Sequence, residues 1–199
     1  RKTNFLSTSG LRCLAGFPTV NVSAGCAHQC IYCYTKGYSI YPGDETIEVY
    51  SDMADRIYSE IKKKRSKPKA VYFCPSSDPF QPVHEIQQSS YEVMKMLLSQ
   101  GIGVQFVTKG RISEETLDLF ESYNSLVCGQ IGITTIDDDI RKIIEPNTAS
   151  VKEKLTQLKR LIDAKIQMSM RCDPLIHGLM DSGQQLEKLI DVASTAGCN

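Results

Sequence analysis

The chain has 199 residues, 41% hydrophobic and 23% charged, enough for one domain with a substantial core. Its 23 basic residues balance 23 acidic ones, so no global field argues for nucleic acid, and no run approaches the roughly 18 apolar residues of a membrane span. Eight cysteines with no basic-then-apolar export signal argue against a disulfide framework and for metal or redox chemistry in a reducing, cytoplasmic compartment.

Residues 1–16 show no period and read as a lead-in; the core domain is expected over 17–199. The opening Arg1 and a close just past a helix end fit a piece of a longer protein. An apolar run at 17–22 predicts a first strand, and Tyr38 to Asp44, with Pro42-Gly43, a turn-rich connection. Tyr50, Met53, Ala54, Ile57, Tyr58 and Ile61 recur at helical spacing and predict a helix over about 50–65, stopped by Pro68. The basic run from Lys62 to Lys69 then sits at a helix end, where it is solvated and favoured by the dipole. Further strands are predicted at 70–74, 103–108, within 125–135 and at 165–172. Helices are predicted at about 89–100, after Ser113 as N-cap, after a Ser150/Glu153 capping box and after a Ser182/Gln185 capping box.

Five strand–helix repeats predict an α/β fold with a parallel sheet and helices outside it, either doubly wound or a full or partial barrel. In both, ligands sit at the carboxyl ends of the strands. The loops after the predicted strands should therefore converge on one face. They carry Cys26, Cys30 and Cys33, then Cys74 to Asp78, Thr108-Lys109, Thr134-Thr135 and Arg171 to Pro174.

Cys26-Ala27-His28-Gln29-Cys30-Ile31-Tyr32-Cys33-Tyr34 places three thiols in the order C-x3-C-x2-C. Three thiolates can hold a four-iron cluster with one iron left open. A zinc site would need a fourth protein ligand, for which His28 or Cys13 is available. Spacing alone leaves both open, so a non-catalytic zinc module is one alternative. C-x3-C-x-aromatic-C after a first strand resembles the signature of the radical S-adenosylmethionine (SAM) superfamily. That resemblance implies a [4Fe-4S] cluster on Cys26, Cys30 and Cys33, with SAM on the fourth iron. One electron, from a donor such as flavodoxin or ferredoxin, cleaves SAM to methionine and a 5′-deoxyadenosyl radical that abstracts a substrate hydrogen. It also implies a partial parallel (β/α)6 TIM-like barrel, here truncated after about five β/α units.

Within that superfamily, Cys30-Ile31-Tyr32-Cys33-Tyr34, the Cys74…Ser77-Asp78-Pro79 loop, Val107-Thr108-Lys109, Thr134-Thr135 and Glu145-Pro146 are similar to the spore photoproduct lyase group. The similarity implies damaged DNA as substrate, Cys74 as hydrogen-atom donor and Tyr32 and Tyr34 as its assistants. Lys109 and Ser77 would bind SAM. Tyr32 would offer its backbone edge and ring to the adenine, and Lys109 would meet the carboxylate. Ser76, Ser77 and Asp78 would accept from the ammonium, and Thr134, Thr135 and Arg171 would reach the ribose or methionine end. A radical SAM enzyme acting on a peptide, tRNA or small molecule is the other alternative.

Overall fold

In chain order the elements are β1 (Ser7–Thr8), β2 (Pro18–Val20), β3 (Ser23–Ala24), β4 (Glu48–Val49), α1 (Met53–Lys63), β5 (Ala70–Phe73), α2 (His84–Ser99), β6 (Gly103–Thr108), α3 (Glu114–Ser122), β7 (Val127–Gly132), α4 (Asp138–Ile144), α5 (Val151–Asp163), β8 (Gln167–Arg171) and α6 (Gln185–Thr195). The structure is a computed structural model, and it describes residues 4–8, 12–181 and 184–198. Six strands form one sheet in the order β1-β2-β5-β6-β7-β8. β2, β5, β6, β7 and β8 run parallel, β1 adds an antiparallel edge through Ser7↔Thr19 and Thr8↔Pro18, and β3 and β4 form a separate antiparallel pair. The result is an α/β fold with a mostly parallel six-stranded sheet, whose strands follow one another across it in chain order.

Alternation along the strands sorts side chains onto two faces. Val71, Phe73, Val104, Phe106, Val127 and Ile131 point toward the helices and are fully buried. Phe106 stacks on Phe120 of α3 at 5.2 Å between centroids and meets Phe80 edge-on at 5.5 Å. Such pairs contribute about 0.5–1.5 kcal/mol each beyond the area they bury. Gly129 makes this packing possible, because a Cβ there would lie 2.5 Å from the Phe106 ring. Tyr72, Gln105, Val107, Gln130 and Arg171 occupy the alternate positions and face a cavity.

Helices cover the apolar face at the predicted period: Met53, Ile57 and Ile61 of α1, and Ile86, Ser90, Val93, Met94 and Leu97 of α2, are buried. Two predicted caps form. Ser113 Oγ accepts from Thr116 N, and Ser150 and Glu153 make a reciprocal capping box. The Ser182/Gln185 box lies outside the described residues, because Ser182 is not among them.

Four boundaries differ from the sequence reading. Within the predicted lead-in, Leu6 is buried and Ser7–Thr8 pairs with β2, so this stretch covers a sheet edge. The first strand is three residues long, because the chain leaves β2 to build the small β3–β4 pair that launches the cysteine loop. α2 begins at His84, five residues early; Gln87 Nε2, donating to the Gln81 carbonyl at 3.1 Å, anchors the added turn. α4 is an additional two-turn helix, started by Asp137 accepting from Asp139 N and Ile140 N.

Candidate active site

The three thiols leave β3 on one loop and line a cavity of ≈ 500 Å³ at the carboxyl ends of the strands. Residues more than a hundred positions away hold that loop. Ile31 N donates to the Ile144 carbonyl at 3.0 Å, and Asn147 Nδ2 donates to the Ala27 carbonyl at 2.9 Å. His28 is buried, with Nδ1 2.9 Å from the Asn147 carbonyl oxygen and Nε2 3.1 Å from Asp78 Oδ2. Both ring nitrogens face protein oxygens, so His28 is a strut of the loop rather than a fourth zinc ligand. Among the described residues no three such side chains already surround a point that a metal ion could fill. Cys13 and Cys74 also line the cavity, but only Cys26, Cys30 and Cys33 share one short loop, a donor set that fits a cluster with one open iron. Burial pushes the Cys30 thiol up to about 11 and raises that of Cys26 as well.

The loop after β5 is organised by Asp78. Its carboxylate accepts from Thr108 Oγ1 (2.8 Å), Lys109 N (2.8 Å) and Phe80 N (2.8 Å), beside the His28 ring. Burial opposes its charge, but His28 and these N–H groups outweigh burial and hold the carboxyl below its ordinary range. Asp78 lines the cavity, yet its oxygens take partners from three protein segments, so it ties the cysteine loop to β6. Ser76 and Ser77 line the same wall, Ser77 bonded to Ser23 Oγ at 3.3 Å. Cys74 lines it too, in the left-handed region at φ 50°. That conformation is uncommon outside glycine, and Cys74 N donating to the Val20 carbonyl at 2.7 Å secures it. Burial pushes its thiol up to about 12. Tyr34 OH donates to the Pro75 carbonyl, next to Cys74.

The second node is Glu145, fully buried after α4. Its Oε1 accepts from Lys109 Nζ (2.7 Å), Thr134 Oγ1 (2.9 Å) and the Tyr32 hydroxyl, and its Oε2 from Lys154 Nζ (2.8 Å). Burial works against the carboxylate, but the two ammonium groups prevail and hold it at about 2. Burial and the neighbouring charge of Glu145 raise the Tyr32 phenol far above its ordinary range. Lys109 also donates to the Asp173 carbonyl at 3.2 Å, and its stem crosses the end of β7 at Gly132, where a Cβ would lie 2.8 Å from Lys109 Cγ.

Of the residues expected at the site, Cys26, Cys30, Cys33, Tyr32, Tyr34, Cys74, Ser76, Ser77, Asp78, Lys109 and Arg171 line the one cavity. Thr134 and Thr135 do not. Thr134 turns to Glu145, and Thr135 Oγ1 accepts from Asp137 N at 3.1 Å, so both hydroxyls serve the fold. Arg171 reaches the cavity while paired to Asp173 at 2.7 Å. Residue chemistry alone did not single out Glu145, Lys154, Gln105 or Gln130. For Lys154 a signal exists: Val151, Lys154, Leu158 and Leu161 form the buried stripe of α5, and a lysine inside such a stripe needs a partner.

A parallel α/β domain that presents three thiols of one C-x3-C-x2-C loop at its strand ends fits an iron–sulfur class. The chain belongs to the radical SAM superfamily, whose family model matches residues 20–193. Membership implies a [4Fe-4S] cluster and SAM. An uncharacterised protein of Mycobacterium tuberculosis is 22% identical over 90% of this chain and 55% of its own length. One from Methanocaldococcus jannaschii is 25% identical over 81% and 61%. A radical SAM Nalpha-GlyT isomerase of Pseudomonas phage M6 is 21% identical over 78% and 32%. Among solved structures, a spore photoproduct lyase variant with bound AdoMet and dinucleoside spore photoproduct shares the fold over 98% of this chain and 56% of its own. Its TM-score is 0.73 and its identity 16%. The chain thus spans about half the length of the first relatives it matches. Among the described residues no helix is long and apolar enough to cross a membrane.

Proposed function

We propose that this chain is the catalytic core of a radical SAM enzyme of the spore photoproduct lyase kind, acting on a thymine-derived lesion in DNA. When bound, the cluster and SAM supply one-electron cleavage of the sulfonium and hydrogen-atom abstraction from substrate. Cys26, Cys30 and Cys33 hold the cluster. Lys109 pairs with the carboxylate of SAM, and the ring of Tyr32, 5.3 Å beneath the Lys109 ammonium, walls the adenine side. Cys74 gives its S–H hydrogen atom to the product radical and is left as a thiyl radical, which one electron from the electron donor and a proton return to the thiol; Tyr34, tied to the Pro75 carbonyl, orders the Cys74 loop. The observation that carries this reading is that the three thiols and Lys109 line one cavity. The fold shared with a lyase bound to its dinucleoside spore photoproduct supports the substrate class. An electron donor such as flavodoxin or ferredoxin is part of the proposal.

One observation favours a second reading, a smaller non-DNA substrate. The rim cations Lys36 and Arg171 are paired with Asp44 and Asp173, both at 2.7 Å, which removes the open positive edge a phosphate backbone would seek. Anaerobic reconstitution, reduction with SAM and an assay for 5′-deoxyadenosine test the class. A brown protein with about four irons that releases 5′-deoxyadenosine supports it; a colourless protein holding one zinc refutes it. Turnover of ultraviolet-damaged DNA or the isolated dinucleoside supports the first substrate reading, whereas neither being consumed by a SAM-cleaving protein favours the second.

A further inference from the structure

Glu145 sets a conflict at the site. A carboxylate that fixes the Lys109 ammonium at 2.7 Å also cancels its charge, and a neutral pair has little to offer an anionic ligand. The conflict is resolved from behind. Lys154, 1% exposed, approaches the other oxygen of the same carboxylate at 2.8 Å. Two ammonium groups therefore share one carboxylate, leaving one surplus positive charge. Neither Lys154 nor Glu145 lines the cavity, whereas Lys109 does. The surplus thus emerges at Lys109. The neighbouring charges do not absorb it: Arg141 is matched by Asp138 at 2.6 Å, and Asp78 is turned to His28, Thr108 and backbone N–H groups.

A buried lysine is a poor choice for stability alone, since a well-packed apolar side chain of similar length often serves a helix stripe as well or better. Its position behind a carboxylate that already serves a cavity-facing lysine gives it another use. We infer that Lys154 is a positioning residue that neutralises Glu145 and so keeps the Lys109 charge available to the carboxylate of a bound amino-acid-bearing ligand. The inference rests on the radical SAM reading and deepens it, since the ligand carboxylate is that of SAM. Glu145 supplies the geometry and Lys154 preserves the charge.

Equilibrium dialysis of the cluster-reconstituted, unreduced protein tests this with two probes, SAM and 5′-methylthioadenosine, which keeps the adenosyl thioether and lacks the amino-acid end. Lys154→Met should weaken SAM binding by about tenfold or more and leave 5′-methylthioadenosine binding and iron content unchanged. Lys154→Arg should restore SAM affinity. If Lys154→Met alone does not fold or hold iron, the double variant Lys154→Met/Glu145→Gln carries the test. It leaves Lys109 facing a neutral amide and should bind SAM within about threefold of wild type. Equal loss of both ligands, no loss of either, or a folded double variant that does not recover SAM overturns the inference. A wild-type protein that holds the cluster but binds no SAM overturns the underlying reading, and is distinguished by needing no variant.

Discussion

The two faces of the sheet are made from the same strands and obey different rules. Outward, Val71, Phe73, Val104, Phe106 and Ile131 are at most 1% exposed and pack against the helices. Inward, the paired positions Tyr72 and Gln105, then Val107, Gln130 and Ser169, then Gly132 and Arg171, form rows across the strands, and most of these side chains can hydrogen-bond. Gln130 bonds Ser169 Oγ at 3.1 Å. An inner layer chosen for stability would be branched and apolar. This one trades packing for polar groups around a cavity, so one face carries the fold and the other the chemistry.

That division can be broken, most severely where a buried node joins the faces. Glu145→Ala leaves two ammonium groups without their carboxylate and should destabilise by about 3–5 kcal/mol, read as a lower urea midpoint. Phe106→Ala, on the outer face, should lose a similar amount, about 3–5 kcal/mol, with its cavity-lining residues undisturbed. If Phe106→Ala instead abolished SAM binding in protein that remains folded, the faces would not be separable.

Acid tests the same node with the wild-type chain. Glu145 titrates at about 2 in the fold against an ordinary value of 4.5. A depressed value means that its contribution is complete above pH 4.5 and lost as pH falls toward 2; Asp78 shifts the same way. Chemical denaturation across that window should show stability falling with acid, with a shallower fall in Glu145→Gln. An unchanged slope in that variant would remove Glu145 from the acid response. Smaller effects belong to the inner face. Gly132→Ala pushes on Lys109 Cγ and should weaken SAM binding several-fold while the melting temperature moves little. Smallest of all, Gln105→Leu should change stability by less than about 1 kcal/mol while lowering turnover of the substrate. A large stability change there would show that the inner face also holds the fold.

The outer face was legible in the sequence because burial against helices imposes periods of two and 3.6. Gly103 to Thr108 and Ala70 to Phe73 are strands where alternation and apolar runs place them, and the thiol loop followed from local spacing. The connections were harder. Glu145 and Lys154 look like solvated charges in a one-dimensional reading, since the Glu145 partners Tyr32, Lys109 and Thr134 lie between 11 and 113 residues away in the chain and Lys154 lies nine away. Thr134 was read toward the ligand because strand ends carry ligand contacts. In the structure its hydroxyl donates to the buried Glu145 carboxylate at 2.9 Å. Asp78 and His28 were read as separate groups, and only the fold brings them to 3.1 Å.

The anchoring of the cysteine loop sets an order on maturation. All three thiols are synthesised more than a hundred residues ahead of Ile144 and Asn147, yet the shape of their loop depends on these two, whose backbone and side-chain groups close on Ala27, His28 and Ile31. A nascent chain that has exposed the thiols has no such clamp, and domains complete their packing as units. Cluster insertion is therefore expected after translation of the α4–α5 connection, once the backbone of the thiol loop is clamped.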